Sequence, residues 1–433
     1  MALRIMLLTD VYPPLIGGVE LQMQLLGHKL NQRGHSVCVV TAWQPGQAER
    51  DDDAGVQVYR IKGLASRLAR FSTQPGRRHH PPFPDPGVVW SLRRVIDRFR
   101  PDVVHTYGWI TYSGVVALVG KSIPLLLSVR EYAYTCALRT MMRYGSQPCD
   151  GPAPAKCLDC ALRFYGAPKG LAAALGVLSG RLLLRWKTRG IHSVSNYMQQ
   201  NIRRDLFSAD ERGLPDVVIP SFHDREGETA VGDTGDLQAF LARLPEQPFI
   251  LFVGALRLVK GLRPLLAAYQ RLAAPPPLVL LGRAAADTPS EFPANVTVLY
   301  DVPNRAVLAA WRRALFGVAP STWPEPFGNV VREAMSQGKA VVGTTPGGQT
   351  DLIVHGETGL LVPPNDVEAL ANAMRLLIDD PALRERLGDA GRARARRFGA
   401  DVVVPRFEQL YQRLAHQETD HTHEDNAIPL GDR

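Results

Sequence analysis

Apolar and polar positions follow two alternating periods along this chain, in two successive series. Residues 3–8 form an apolar run suited to a buried parallel strand. Residues 19–33 place Leu21, Leu25, Leu26 and Leu30 at helical spacing, and Gly34 ends that pattern. Residues 36–41 are the next apolar run, which completes a strand–helix–strand unit with an expected right-handed crossover. Further strands are predicted at 56–61, 103–105, 125–129, 192–194 and 217–219, with helices at 86–99, 170–187 and 196–204.

Residues 223–248 begin polar and rich in Gly, Asp and Glu, and read as a link. The second series sets strands at 249–253, 278–281, 296–299, 316–319, 340–343 and 359–362. Helices are predicted at 262–272, 305–313, 329–337, 366–379, 381–397 and 403–414. Residues 417–433 are polar without a period and read as a disordered tail. Two such series predict an α/β protein of two doubly wound domains, residues 1–220 and 221–400, with 401–416 as a closing helix. Ligands of such sheets bind beyond the carboxyl ends of the strands, so a cleft between the domains is the expected site.

The 433 residues are 45% hydrophobic and 21% charged, which excludes a chain disordered throughout. The most apolar stretch, residues 110–129, is cut by Lys121 and Pro124 and falls short of the roughly 20 clean apolar residues of a membrane span. The first ten residues lack the pattern of a signal peptide, so the expected location is the cytoplasm. The formal charge of +8 favours anionic partners: phosphate-bearing substrates, an acidic membrane surface or nucleic acid.

The strongest chemical signal lies at residues 321–335. Pro324 and Pro326 hold the approach extended, and Gly328 and Asn329 open a helix whose free N–H groups suit an anion such as a diphosphate. Glu325 lies on the loop and Glu333 within the helix, with seven residues between them. This stretch closely resembles the donor-binding signature of retaining glycosyltransferase family 4, the group 1 glycosyltransferases of GT-B fold. The resemblance implies two facing Rossmann-like domains with an interdomain cleft, and hinge closure over the donor. It implies that Glu325 contacts the donor sugar and Glu333 the nucleotide ribose, with Gly328, Asn329 and Val330 beside the phosphates.

The resemblance extends over nearly the whole chain. Residues 12–20, with Gly17 and Gly18, match the family's N-terminal glycine loop. Residues 252–261 match its phosphate site. Lys260 stands in its expected place, Ala255 occupies the usual arginine position, and Arg257 is the substitute considered. Residues 345–351, with Gly347 and Gly348, resemble the glycine pair near the donor sugar. Where many relatives carry His-Asp-Tyr, this chain has Arg130-Glu131-Tyr132. An arginine stays protonated and is no general base, but suits a departing diphosphate. His105 is a further cleft candidate, with a structural role as the equal alternative. The implied activity is a retaining, metal-independent transfer of sugar from a nucleotide-sugar to a carbohydrate or lipid-linked acceptor, in cell-surface polysaccharide or glycolipid synthesis. An epimerase or a catalytically silent nucleotide-sugar binder are the rivals.

Four cysteines, Cys136, Cys149, Cys157 and Cys160, form an insertion at 136–160. The Cys157–Cys160 spacing in a loop-like segment suits a structural zinc, with disulfides and free thiols as alternatives. No cofactor is expected for catalysis. Asp51, Asp52 and Asp53 read as a solvated charge run. Arg67, Arg70, Arg77 and Arg78, and Arg181, Arg185, Lys187 and Arg189, suit an anionic membrane at the inner face or an ordinary solvated surface. Neither group has the aromatic interleaving of a nucleic-acid binder, so none is expected.

Overall fold

The computed structural model describes residues 1–14, 18–64, 80–207, 213–224 and 235–424. The chain divides into two compact units. One comprises residues 1–194, 198–219 and 401 onward; the other comprises 195–197 and 220–400.

The first unit opens with β1 (Arg4–Thr9), α1 (Gly18–Gln32), β2 (Ser36–Ala42), β3 (Arg50–Asp53) and β4 (Val56–Ile61). It continues through α2 (Pro86–Phe99), β5 (Val103–Tyr107), α3 (Ile110–Ala117) and β6 (Leu125–Val129). A small hairpin, β7 (Met142–Arg143) and β8 (Gln147–Pro148), precedes α4 (Pro154–Tyr165), α5 (Lys169–Lys187), β9 (Thr188–Ser193), α6 (Asn196–Ile202) and β10 (Asp216–Val218). The sheet order is β10-β9-β6-β5-β1-β2-β4-β3. Every pairing is parallel except β3 with β4. Parallel strands covered on both faces are buried along their length, as β5 and β6 are.

The second unit holds α7 (Gly235–Leu241), β11 (Phe249–Val253), α8 (Leu262–Gln270), β12 (Leu278–Gly282), β13 (Val296–Tyr300), α9 (Asn304–Arg313) and β14 (Ala314–Ala319). Then come α10 (Asn329–Ser336), β15 (Val341–Thr344), α11 (Gln349–Leu352), β16 (Leu360–Val362), α12 (Val367–Asp379) and α13 (Pro381–Ala395). Its six strands run in parallel in the order β13-β12-β11-β14-β15-β16. Phe252, Leu256, Leu265, Phe316 and Met374 pack in one buried cluster under this sheet. Each such side chain contributes roughly 1.5–3 kcal/mol on leaving water. The last helix, α14 (Ala400–Glu424), carries Pro405 within it and returns to the first unit.

Several elements differ from the sequence reading. Residues 417–424, read as tail, continue α14, while 425–433 lie outside the described residues. The apolar stretch at 110–117 is a buried helix, α3. The segment read as a cysteine loop contains α4, started by Pro154 in its first turn, where the missing N–H costs nothing. Asp51–Asp53 belong to edge strand β3 and are not simply solvated. Asp53 accepts from the Tyr12 hydroxyl (2.7 Å) and Gln24 Nε2 (2.9 Å) and lies 3.0 Å from His28 Nε2; Asp51 pairs with Arg60. Among the described residues no helix is long and apolar enough to cross a membrane.

Candidate active site

The second unit gathers three of its strand ends around one loop. After β11, a short turn ends at Lys260, and Gly261 follows in the left-handed region at φ +85°. A Cβ at Gly261 would meet the Pro320 carbonyl at 1.8 Å, so only glycine lets the turn lie against the start of the 320–328 loop. Thr322 N donates to the Val259 carbonyl (2.9 Å) and closes the same contact. From β15, Thr344 Oγ1 donates to the Ser321 carbonyl (3.0 Å). Gln349 fastens the ends of β14 and β15 together. Its Oε1 accepts from Thr344 N (2.7 Å) and its Nε2 donates to the Ala319 carbonyl (3.1 Å).

Glu325 stands at the centre of this loop. Lys260 Nζ reaches both of its carboxylate oxygens, at 2.8 and 2.9 Å. Ser321 Oγ and Trp323 Nε1 each donate to Oε2 at 2.9 Å. Lys260 also lies over the Trp323 ring, 5.1 Å from its centroid. The pair is partly buried, which strengthens a charge-assisted contact relative to one in water. Gly348 N donates to the Glu325 carbonyl (2.6 Å), and a Cβ on Gly348 would meet the Pro326 carbonyl at 2.1 Å. At Gly347 a Cβ would come to 2.9 Å from Glu325 N. The glycine pair therefore backs the glutamate loop directly.

Gly328 is left-handed at φ +105° and precedes α10. Val331 N and Arg332 N both turn back to the Gly328 carbonyl, so the N–H groups of Asn329 and Val330 have no intrahelical acceptor. Asn329 Oδ1 is buried without a hydrogen-bond partner. Asn329 and Glu333 are four residues apart and share a helix face. Glu333 is half-buried. Arg257 does not join Lys260. It is exposed, with Nε 3.4 Å from Asp287 Oδ1, so it is not a ready substitute at the Ala255 position.

The candidates of the first unit fare differently. Gly18 begins α1, while Gly17 lies outside the described residues. His105 is fully buried in β5, with Nδ1 2.8 Å from the Tyr411 hydroxyl and its ring against His192 and Phe407. Burial first, then Arg130, pushes its pKa down to about 3. The ring is enclosed by core side chains and packs against Phe407 and Tyr411 of α14. Arg130, just past β6, is also buried; desolvation lowers its guanidinium to about 10, so it stays cationic at neutral pH.

A polar cluster absent from the sequence reading lies at the ends of β1, β5 and β6. Asp10 accepts from Trp109 N (3.0 Å) and Ile110 N (2.7 Å) at the start of α3. Arg139 NH1 lies 3.7 Å from Asp10, and Arg139 pairs with Glu131. Burial raises the Asp10 carboxyl to about 6. The strand-end position of Asp10 was the signal available for it.

The four cysteines carry free thiols. Cys157 and Cys160 ride on α4, where their sulfurs accept from Ala153 N (3.4 Å) and Tyr144 N (3.2 Å). Cys136 is half-buried, with desolvation raising its thiol, and Cys149 Sγ contacts the Gly151 carbonyl at 3.5 Å. Among the described residues no group of three or more His, Cys, Asp or Glu side chains converges as a metal site requires.

Comparison with known proteins completes this geometry. Residues 235–394 match the family described as Glycosyl transferases group 1, and residues 17–215 match the Glycosyl transferase 4-like domain. A D-inositol 3-phosphate glycosyltransferase from Xylanimonas cellulosilytica is 32% identical over 325 residues, covering 72% of this chain and 71% of the relative. The chain belongs to the group 1 glycosyltransferases. A shorter match, 119 residues at 40% identity, spans 27% of this chain and 13% of an exopolysaccharide phosphotransferase from Streptomyces coelicolor. Among solved structures, sucrose-phosphate synthase from Thermosynechococcus elongatus superposes with a TM-score of 0.69 at 21% identity, covering 95% of this chain and 98% of that one. Anabaena HepE in complex with UDP-glucose gives 0.62 at 18%, covering 96% and 99%. The fold of this group 1 enzyme is GT-B: two α/β units, each built on a largely parallel sheet.

Proposed function

We propose that this glycosyltransferase moves a sugar from a nucleotide-sugar to a carbohydrate or lipid-linked acceptor, with retention at the anomeric carbon and without a metal. The observation that carries the reading is the Lys260–Glu325 pair set beside the open start of α10. An incoming diphosphate carries the charge that Lys260 now shares with Glu325, and the Asn329 and Val330 N–H groups complete an anion site. Glu325, released from part of that pairing and still held by Ser321 and Trp323, accepts from hydroxyls of the donor sugar. Glu333, on the face of Asn329, takes the ribose hydroxyls.

Cation and helix start together disperse the negative charge that develops as the sugar–phosphate bond breaks, and this positioning supplies the main rate enhancement. No protein base is assigned; the departing phosphate takes the acceptor proton. That relatives of this fold include one solved with UDP-glucose supports a nucleoside diphosphate donor. The role in polysaccharide or glycolipid synthesis belongs to the same reading.

The test is a screen of UDP-, GDP- and ADP-sugars for thermal stabilisation, followed by turnover with sugar and lipid-linked acceptors and assignment of the product anomer by NMR. A stabilising donor and a product of unchanged anomeric configuration are expected. Inversion overturns the retaining mechanism. Altered free sugar without acceptor indicates an epimerase, and binding without turnover a silent relative.

A further inference from the structure

The helix α5 (Lys169–Lys187) is built inside out for a soluble surface helix. Its small residues face the protein: Gly170, Ala173, Ala174, Gly176 and Gly180 are buried. A Cβ on Gly180 would come to 2.2 Å from the Tyr112 ring, one on Gly176 to 2.6 Å from the Pro82 carbonyl, and one on Gly170 to 2.4 Å from the Ala161 carbonyl. These contacts fix the rotation of the helix about its axis. Val177 and Leu184 are buried with the small residues, and the other large apolar residues face outward. Leu171, Leu175, Leu182 and Trp186 are 43%, 53%, 74% and 55% exposed, and Leu178 between them is half-buried. Their spacings of four, three, four and four residues keep all five on one stripe. A row of this kind on a soluble domain marks an interaction surface.

The charges on the helix identify what it meets. α5 contains no acid and carries Lys169, Arg181 and Arg185, the second also donating to the Asp205 carbonyl; Lys187 is buried, with Nζ donating to the Lys121 carbonyl (2.9 Å), and Arg189 follows the helix. Two copies of such a face brought together would oppose like charges, whereas an anionic surface neutralises them. Tryptophan at the basic end suits the boundary between headgroup and acyl chain. The charges within the helix, and a hydropathy below that of a span, place it along a membrane rather than through it.

We propose that the outward face of α5 rests in the headgroup region of an anionic lipid bilayer, with Leu175, Leu182 and Trp186 inserted and Arg185 paired to lipid phosphate. The surface stands independently of the transfer reading. It gives the chain a membrane side whatever the acceptor proves to be.

The experiment is sedimentation of the full chain with phosphatidylcholine vesicles, with and without phosphatidylglycerol. Binding is expected only with the anionic lipid, weakening as salt rises. The double variant Leu182→Gln/Trp186→Gln is expected to lower the vesicle partition constant about tenfold or more. Arg185→Glu has the same direction and serves should the double variant fail to fold. Trp90→Gln, at an exposed tryptophan on α2, is the control and leaves binding unchanged. Thermal stabilisation by UDP-glucose, read on the same samples, separates this outcome from failure of the donor site. Wild-type chain that ignores anionic vesicles overturns the proposal, as does equal binding by the α5 variants. A chain that dimerises through this face, and turns monomeric on Leu182→Gln, assigns it to a second copy and also overturns the proposal.

Discussion

Lys260 Nζ sits between the two carboxylate oxygens of Glu325, 2.8 Å from one and 2.9 Å from the other. The two residues come from different strand ends of the second unit, and Ser321 and Trp323 hold the carboxylate from its other side. Lys260→Ala removes the cation while leaving those two donors in place. Affinity for UDP-sugar should fall about 10- to 100-fold, as expected for a charge-assisted hydrogen bond worth roughly 1.5–3 kcal/mol. Calorimetric titration checks it; unaltered affinity would remove Lys260 from the diphosphate site.

Glu325→Gln keeps an acceptor for Ser321 and Trp323 while removing the charge and one of the two acceptors of Lys260. Donor binding should stay within a few-fold while turnover falls about a hundredfold, the size of effect seen when one preorganised electrostatic partner is lost. Steady-state kinetics separates the two quantities, and a change in KM alone would count against the assignment.

Glu333→Ala is expected to weaken binding of free UDP as much as that of UDP-sugar, because its assigned contact is with the ribose. A loss confined to the sugar-bearing ligand would move Glu333 to the sugar end of the site.

Gly348→Ala places a methyl group 2.1 Å from the Pro326 carbonyl oxygen, a backbone atom. The loop bearing Glu325 must shift, at a cost of about 1–3 kcal/mol for overpacking. A lower melting temperature and loss of transfer should appear together. Loss of neither would show that the loop yields freely.

Acid should destabilise the first unit through its enclosed histidines. His80 donates from Nδ1 to the Pro81 carbonyl and meets Ser113 Oγ at Nε2; burial lowers its pKa to about 4. His105 is lowered to about 3 and His192 well below the usual value, both by burial first. The unfolded chain, with histidines near 6.5, binds more protons than the folded one below that pH. Stability is therefore lost as pH falls from about 6.5 toward 4, by up to ~1.4 kcal/mol per pH unit for each histidine. Asp10 opposes this: its raised pKa, about 6, makes the folded state the better proton binder as acid is added. Three groups against one give a net loss. Urea midpoints at pH 7 and pH 5 measure it, and His80→Gln should flatten the difference.

The strands and helices that pattern alone places are those with an uninterrupted period. Residues 86–99 are one case, with Asp85 capping the helix and Pro86 in its first turn. Helix α3 escaped because its residues are buried all round and show no polar face to set a period. Helix α4 was hidden by Gly151 and Pro152 before its start and by Pro154 at its first position. In the site, the motif around Glu325 and Gly328 was legible because its spacing is local. That Lys260 grips Glu325, that Arg257 turns to Asp287, and that His105 is sealed against Tyr411 depend on residues 30 to 306 positions apart. Such contacts follow from strand order, and strand order is not written in any one segment.

The return of α14 to the unit where the chain began has a practical corollary. Glu408 accepts from Arg33 and meets His35, while Phe407, Tyr411 and Leu414 seal the region around His105 and Gly190. A fragment ending near residue 220 would leave that wall open to water, with His105 and His192 losing their cover. Anyone wishing to study the amino-terminal half in isolation must therefore splice the closing segment, from residue 401 on, back onto it.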